Sequence, residues 1–382
     1  MSSDSAARQS GRVALVALLA TRIPILLVGG AAVAAIGTWP PPVAEGLWRV
    51  SSNELLNLLA RWDTFWYHSI ATAGYHRDPT AFHHENVVFF PLYPLLMRWG
   101  AHVTGGSSLV AGLIVSLASF TAAMAVLYRL AAEDLGEEQA AAAIVLLATY
   151  PFALFYSAVY TESLFLFLTA GAFYAMRRDR LFLVGLLGLA AGLARPNGFW
   201  LSVPLVLLVA TSADRSLRAR RVRAIAAALM PVVGTAIFSI YLHVRVGDGL
   251  AWVHGQAAWG IQTLLRAGAH DDPPFARATS AVFTDVLRWA FDFAAFAGAV
   301  WALKPIFRRF GPAYAAWVAL GIFPPVTTHL FMSQGRFTAT LFPLFFWLAT
   351  VVPRTKLWRV AGGFAVIQIA FAILFFLWRP IV

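Results

Sequence analysis

The most constraining feature of the chain is that long apolar runs recur from one end to the other, parted by short gaps that hold most of the arginines. Runs at residues 13–36, 109–130, 140–156, 164–176, 181–193, 199–210, 224–246, 282–303, 313–331, 337–352 and 360–378 predict about eleven spans. A straight helix needs about 20 residues to cross a bilayer core, so the shorter runs extend into their flanks or pair as partial crossings. Charged residues are 12% of the chain, against about 25% in soluble domains. The expected fold class is an all-α polytopic membrane protein, not a soluble enzyme. The run 13–36 is too long for a signal-peptide core and is read as a retained first helix. Residues 1–12 form a polar tail, and 13–382 a single transmembrane domain.

The net charge of +11 and its distribution separate two explanations. A nucleic-acid binder gathers its cations on one face, whereas here they sit in the gaps between spans, where they orient helices. With the N-terminus in the cytoplasm, the clusters around Arg177–Arg180, Arg215–Arg223, Lys304–Arg309 and Arg354–Arg359 all fall on the cytoplasmic side. The acidic gap Glu133-Asp134-Leu135-Gly136-Glu137-Glu138 falls there too, but acids contribute little to the rule. The same alternation puts Asp63, Glu85, Glu162, Arg195 and Arg336 together on the outer side, where no arginine is needed for orientation. Any chemistry is expected to face outward. The chain has no cysteine, which excludes disulfides and thiolate chemistry.

Two outer segments are long. Residues 38–106 are too apolar for a free loop and too polar to span, which predicts interfacial helices. Their centre is Arg61-Trp62-Asp63-Thr64-Phe65-Trp66-Tyr67-His68. Trp62, Phe65, Trp66 and Ile70 (or Ser69) fall at helical spacing and predict one ring-rich stripe, with Asp63 beside it and Tyr67 one turn on. Asp63 is either a general base at the lipid–water boundary or a helix cap. No second acid sits close to it in sequence, unlike a paired-carboxylate hydrolase site. The second long segment, 247–280, carries Trp252, His254, Gln256, Trp259, His270 and Asp271-Asp272.

The other candidates each have a plainer alternative. Glu162, in Tyr160-Thr161-Glu162-Ser163, either contacts a sugar or simply complements the first turn of a helix. Arg195 in Ala194-Arg195-Pro196-Asn197-Gly198 and Arg336 in Gln334-Gly335-Arg336-Phe337 are costly at membrane depth without partners. A lipid phosphate is one such partner, and snorkelling to the headgroups is the alternative. His83-His84-Glu85 lacks metal-ligand spacing, and His254, His270 and His329 are isolated. No metal and no cofactor is expected, although Glu85 could still contact substrate.

In order along the chain, several stretches resemble the PIG-V family, the glycosylphosphatidylinositol mannosyltransferase 2 enzymes and their bacterial relatives. They are Trp62-Asp63 with Tyr67, Ile70-Ala71 and Gly74-Tyr75; Glu85 with Phe89-Phe90-Pro91-Leu92-Tyr93-Pro94; Tyr160-Thr161-Glu162-Ser163-Leu164-Phe165; Leu193-Ala194-Arg195-Pro196-Asn197-Gly198; and Gln334-Gly335-Arg336-Phe337 to Pro343. Pro196 stands where the eukaryotic pattern has serine. The resemblance implies a GT-C bundle and inverting transfer of mannose from a polyprenyl-phosphate carrier to a lipid or glycolipid acceptor. On that mapping Asp63 is the base. Trp62, Tyr67, Glu85, Glu162, Arg195, Asn197 and Arg336 are the substrate-binding candidates, with the two arginines toward the carrier phosphate. The alternative is a transporter or flippase of a lipid-linked sugar, which would call for charged or broken helices near mid-membrane.

Overall fold

A computed structural model describes residues 3–38, 50–77, 85–212, 220–256, 280–329 and 333–379. Helices, with no strand, make up the regular structure among them. The first span is α1 (Ser3–Ala17) and α2 (Ile23–Ile36), joined by the π-helical stretch Leu18–Arg22. Pro24 opens α2. It has no N–H to give back to the preceding turn, and the ladder widens there. Short helices follow: α3 (Glu54–Asn57), α4 (Thr64–Ala73) and α5 (Leu92–Ala101). The long α6 (Ser108–Leu135) then packs on α1, α5 and α7 (Glu137–Thr149).

Pro151 ends α7, and the chain bends by 80° into the 3-10 turn Pro151–Ser157. The break frees carbonyl groups inside the bundle. The fully buried Arg22 answers them, donating to Ala148 O at 2.6 Å and to Ala153 O, with Gln368 Oε1 at 3.3 Å.

Then come α8 (Glu162–Arg177), α9 (Leu181–Ala194), the turn Pro196–Leu201, α10 (Ser202–Thr211), α11 (Arg221–Ala228) and α12 (Met230–Val246). The C-terminal part holds α13 (Ser280–Phe310), α14 (Pro312–His329), the short α15 (Gln334–Ala339), α16 (Phe342–Val351) and α17 (Arg354–Phe376). Among the described residues, five helical stretches are long and apolar enough to cross a membrane, six if the bent α7 pair is one span. The expected eleven is reached only if α8 and the four shorter apolar helices, ending with α16, also cross.

The basic and acidic gaps gather at one end of the bundle. Arg177 Nη1 lies 2.6 Å from Asp134, Arg220 Nη1 lies 3.0 Å from Asp179, and Arg354 pairs with Glu138. Glu162 opens α8 and Arg177 closes it, so the acid at the start of α8 stands at the opposite end.

The buried face of α4 is Thr64, Tyr67, Ile70 and Ala71, while Phe65 and Trp66 are half-buried. Phe65 and Trp66 of the ring-rich stripe thus stay partly open, and Tyr67 is the ring whose polar end finds a partner inside. Its hydroxyl lies 3.3 Å from Thr161 Oγ1, and its ring meets Phe89, Tyr93 and Tyr160 edge-on.

Candidate active site

Four residues far apart in sequence meet in one charge cluster. Arg336 Nη1 lies 2.9 Å from Asp63 Oδ2, while its Nε and Nη2 donate to Glu162 Oε1 at 3.1 and 2.8 Å. Arg195 Nη1 reaches the same Glu162 oxygen at 2.9 Å. Two carboxylates thus face two guanidinium groups, and the cluster is neutral. The absence of a second acid near Asp63 in sequence does not hold in space, because Arg336 bridges it to Glu162. The arginines do not snorkel: both are buried, with carboxylates as partners.

Local sequence explains each placement. Asp63 follows Trp62, whose φ of +51° lies in the left-handed region. Side chains other than glycine rarely adopt it, so the turn needs outside support. Arg61 supplies part, donating from Nε to Phe376 O at 3.0 Å beneath the Trp378 ring, against which Trp62 also packs. Tyr160 supplies more, because the Asp63 N–H donates to its hydroxyl at 3.0 Å. Asp63 sits at the cap position of α4 but makes no capping bond with its side chain. The cap explanation fails, which leaves the carboxylate to the cluster.

Glu162 is the first residue of α8 and fully buried, and its Oε2 has no hydrogen-bond partner. Complementing a helix dipole does not require such burial. Arg195 follows α9 in extended conformation, as a residue before proline prefers. Glycines seat this corner. A Cβ on Gly192 would lie 2.0 Å from Pro231 O, and one on Gly198 would lie 2.1 Å from Ala191 O. Small residues at such crossings let helix backbones approach closely. The Arg336 guanidinium stacks over Phe155 and Tyr160, each at 4.8 Å, and that of Arg195 over Phe165 and Phe337. Aromatic faces stabilise a desolvated cation without changing the charge balance.

Exposure grades across the cluster. The Glu162 side chain is sealed, those of Arg195 and Arg336 are 10% exposed, and that of Asp63 is 22% exposed. Asp63 is therefore the member that an incoming group can reach. Trp62 directly precedes Asp63 and Asn197 lies two residues after Arg195, with Nε1 and Oδ1 buried and unpartnered.

Glu85 stands in a different network. Arg77 Nε lies 3.6 Å from Glu85 and its Nη1 2.5 Å from Asp248, which His254 Nδ1 meets at 2.7 Å. His83, His84, Gln256's neighbours from 257 to 279 (with Trp259, His270, Asp271 and Asp272) and the side chain of His329 lie outside the described residues. Sequence reasoning missed two residues of the site. Tyr160 was read only as part of a motif, although its ring and hydroxyl join Arg336 to Asp63. Asp292 was read only as part of a span. It is 1% exposed and accepts hydrogen bonds from the backbone N–H groups of Ser333 and Gly335 at the start of α15.

The profile of the family described as Mannosyltransferase (PIG-V) matches residues 18–232. The chain is 36% identical over 155 residues to GPI alpha-1,6-mannosyltransferase 2 from Rattus norvegicus, and equally to that from Mus musculus. These alignments cover 38% of this chain and 30% of each relative, so they span about a third of the curated relatives' length. Among solved structures, the Archaeoglobus fulgidus oligosaccharyltransferase in complex with Zn and sulfate aligns over 93% of this chain and 52% of its own, with a TM-score of 0.43 at 15% identity. A likeness that weak supports no inference about this chain.

Proposed function

The chain belongs to the mannosyltransferase (PIG-V) family, and from that premise we propose an inverting membrane mannosyltransferase of the GT-C type. It moves mannose from a polyprenyl-phosphate carrier to a hydroxyl of a lipid-anchored or other extracytoplasmic acceptor. The N-terminus is cytoplasmic and the site faces the other side. The gathering of arginine-rich gaps at the end of the bundle away from Glu162 supports that orientation.

The observation that carries the reading is the graded cluster, sealed at Glu162 and open at Asp63. Asp63 accepts the proton of the acceptor hydroxyl as its oxygen attacks the anomeric carbon. The bond from that carbon to the phosphate oxygen breaks on the opposite face, and polyprenyl phosphate leaves with the electron pair. A proton on Asp63 discharges its pair with Arg336 just as negative charge grows on the phosphate. Arg336 Nη1 is then free for that charge, with Arg195 beside it. Preorganised cations act strongly in such dry surroundings. Glu162 holds both guanidinium groups, Trp62, Tyr67 and Asn197 line the approach, and Glu85 contacts substrate from the loop network.

Transfer from synthetic polyprenyl-phosphate-mannose to a native membrane lipid extract tests this. A mannosylated lipid, with polyprenyl phosphate released in equal amount, is the expected result. Movement of intact donor across vesicles without product would favour the flippase reading. Equal transfer from a nucleotide sugar would remove the carrier.

A further inference from the structure

We propose that Asp292 is a positioning residue for Arg336: from within a span it holds the opening turn of the short helix that carries the guanidinium. This rests on the mannosyltransferase reading above for its effect on turnover, but not for its geometry.

Asp292 lies within Trp289–Phe310, a stretch apolar and long enough to cross a membrane. An acid there is expensive and is kept where it does something specific. Each of its oxygens takes one backbone N–H: Gly335 N donates to Oδ1 at 2.7 Å, and Ser333 N to Oδ2 at 3.2 Å. These flank Gln334, the first residue of α15, and Gly335 directly precedes Arg336.

The helix needs such help. With six residues, α15 is too short to persist by its own hydrogen bonds. It is entered through Ser333 at φ +63°, a conformation a non-glycine residue holds only when its surroundings over-determine it. At its far end the Tyr156 hydroxyl donates to Ala339 O at 2.5 Å, and the Tyr150 and Thr338 hydroxyls lie 3.0 Å apart. One flank is flush with the Phe152 ring, which a Cβ on Gly335 would approach to 2.1 Å. The hydroxyls fix where the helix ends, and Asp292 fixes where it begins. Between them they set the point from which Arg336 must span two carboxylates at 2.8 and 2.9 Å. A plain structural cap would hold the helix equally well but would leave no trace in Arg336's own work.

Asp292→Asn and Asp292→Leu separate these. Asparagine has one acceptor oxygen for two N–H groups, and leucine none. Hydrogen exchange of residues 333–339 comes first, because it does not depend on any reaction. It is expected to rise in both variants while the other helices stay protected, and unchanged exchange overturns the proposal. Polyprenyl-phosphate affinity comes second. Asp292→Asn weakens it when Arg336 is present and has no further effect in an Arg336→Gln background. Equal weakening in both backgrounds overturns the proposal. Turnover comes third, with a fall of roughly tenfold for Asp292→Asn and about 10²-fold for Asp292→Leu, the scale of a misplacement near 1 Å. Wild-type turnover in Asp292→Asn overturns it. If Asp292→Leu does not fold, Asp292→Asn decides alone. A wild-type protein that transfers nothing counts against the mannosyltransferase reading, while exchange and affinity still judge Asp292.

Discussion

Two networks of four ionisable groups differ mainly in what surrounds them. Asp63, Glu162, Arg195 and Arg336 are enclosed by helices and aromatic rings, with Glu162 sealed. Glu85, Arg77 and Asp248 lie in connecting segments and His254 in the short helical stretch 251–256, where its side chain is 55% exposed. In the first network every charge depends on the others, because taking one partner away strands a charge in a dry interior. In the second, water reaches Asp248 and His254 and can take a partner's place there. The same residue types therefore make an interdependent charge cluster in one place and a partly solvated one in the other.

The sharpest way to break the comparison is Arg336→Ala. It leaves two carboxylates facing each other and is expected to destabilise the fold by about 3–5 kcal/mol, read by chemical denaturation in detergent, with transfer abolished. A change below about 1 kcal/mol would place the cluster with exposed ion pairs. Gly198→Ala should come next. Its Cβ would meet Ala191 O at 2.1 Å, and such overpacking costs about 1–3 kcal/mol. Transfer should fall further than stability because the corner carries Arg195, and the ratio of turnover to midpoint shift measures this.

The loop network should respond weakly. Arg77→Ala is expected to cost about 0–1 kcal/mol and to leave transfer within a fewfold of wild type. A loss on the scale of Arg336→Ala would mean that the two networks are one site. The smallest effect concerns pH. Burial pushes the Asp248 carboxyl up, but hydrogen bonds from His254 and Arg77 outweigh this and hold it at about 2, below its ordinary 3.8. A depressed acid lends stability that is present above the ordinary value and lost as pH falls toward 2. The difference in midpoint between wild type and Asp248→Asn should therefore shrink as pH falls below about 4.

Sequence made the class of fold legible because membrane spans announce themselves by composition, and the clusters of arginine showed which gaps share an end. Asp63, Glu162, Arg195 and Arg336 were legible for a related reason: charge is costly in such a chain and needs an explanation. Their partners were not. Nothing in spacing says that residue 336 bridges residues 63 and 162, since that depends on how the helices stack. Glu85 was grouped with them from its outer position, and its ion-pair neighbour is Arg77, in the second network. Tyr160 and Asp292 were missed because both act through backbone groups, donating and accepting where no sequence pattern marks the need. Asp292 did leave one usable signal, as an acid inside an apolar run.

The central claim is that the open end of the buried cluster is the reacting end. The most direct test is single-turnover transfer by Asp63→Asn from polyprenyl-phosphate-mannose, with affinity for polyprenyl phosphate measured on the same preparation. The account predicts a fall of about 10²–10⁴-fold in the rate with affinity retained. Turnover near the wild-type rate would contradict it and leave Asp63 as only a partner of Arg336.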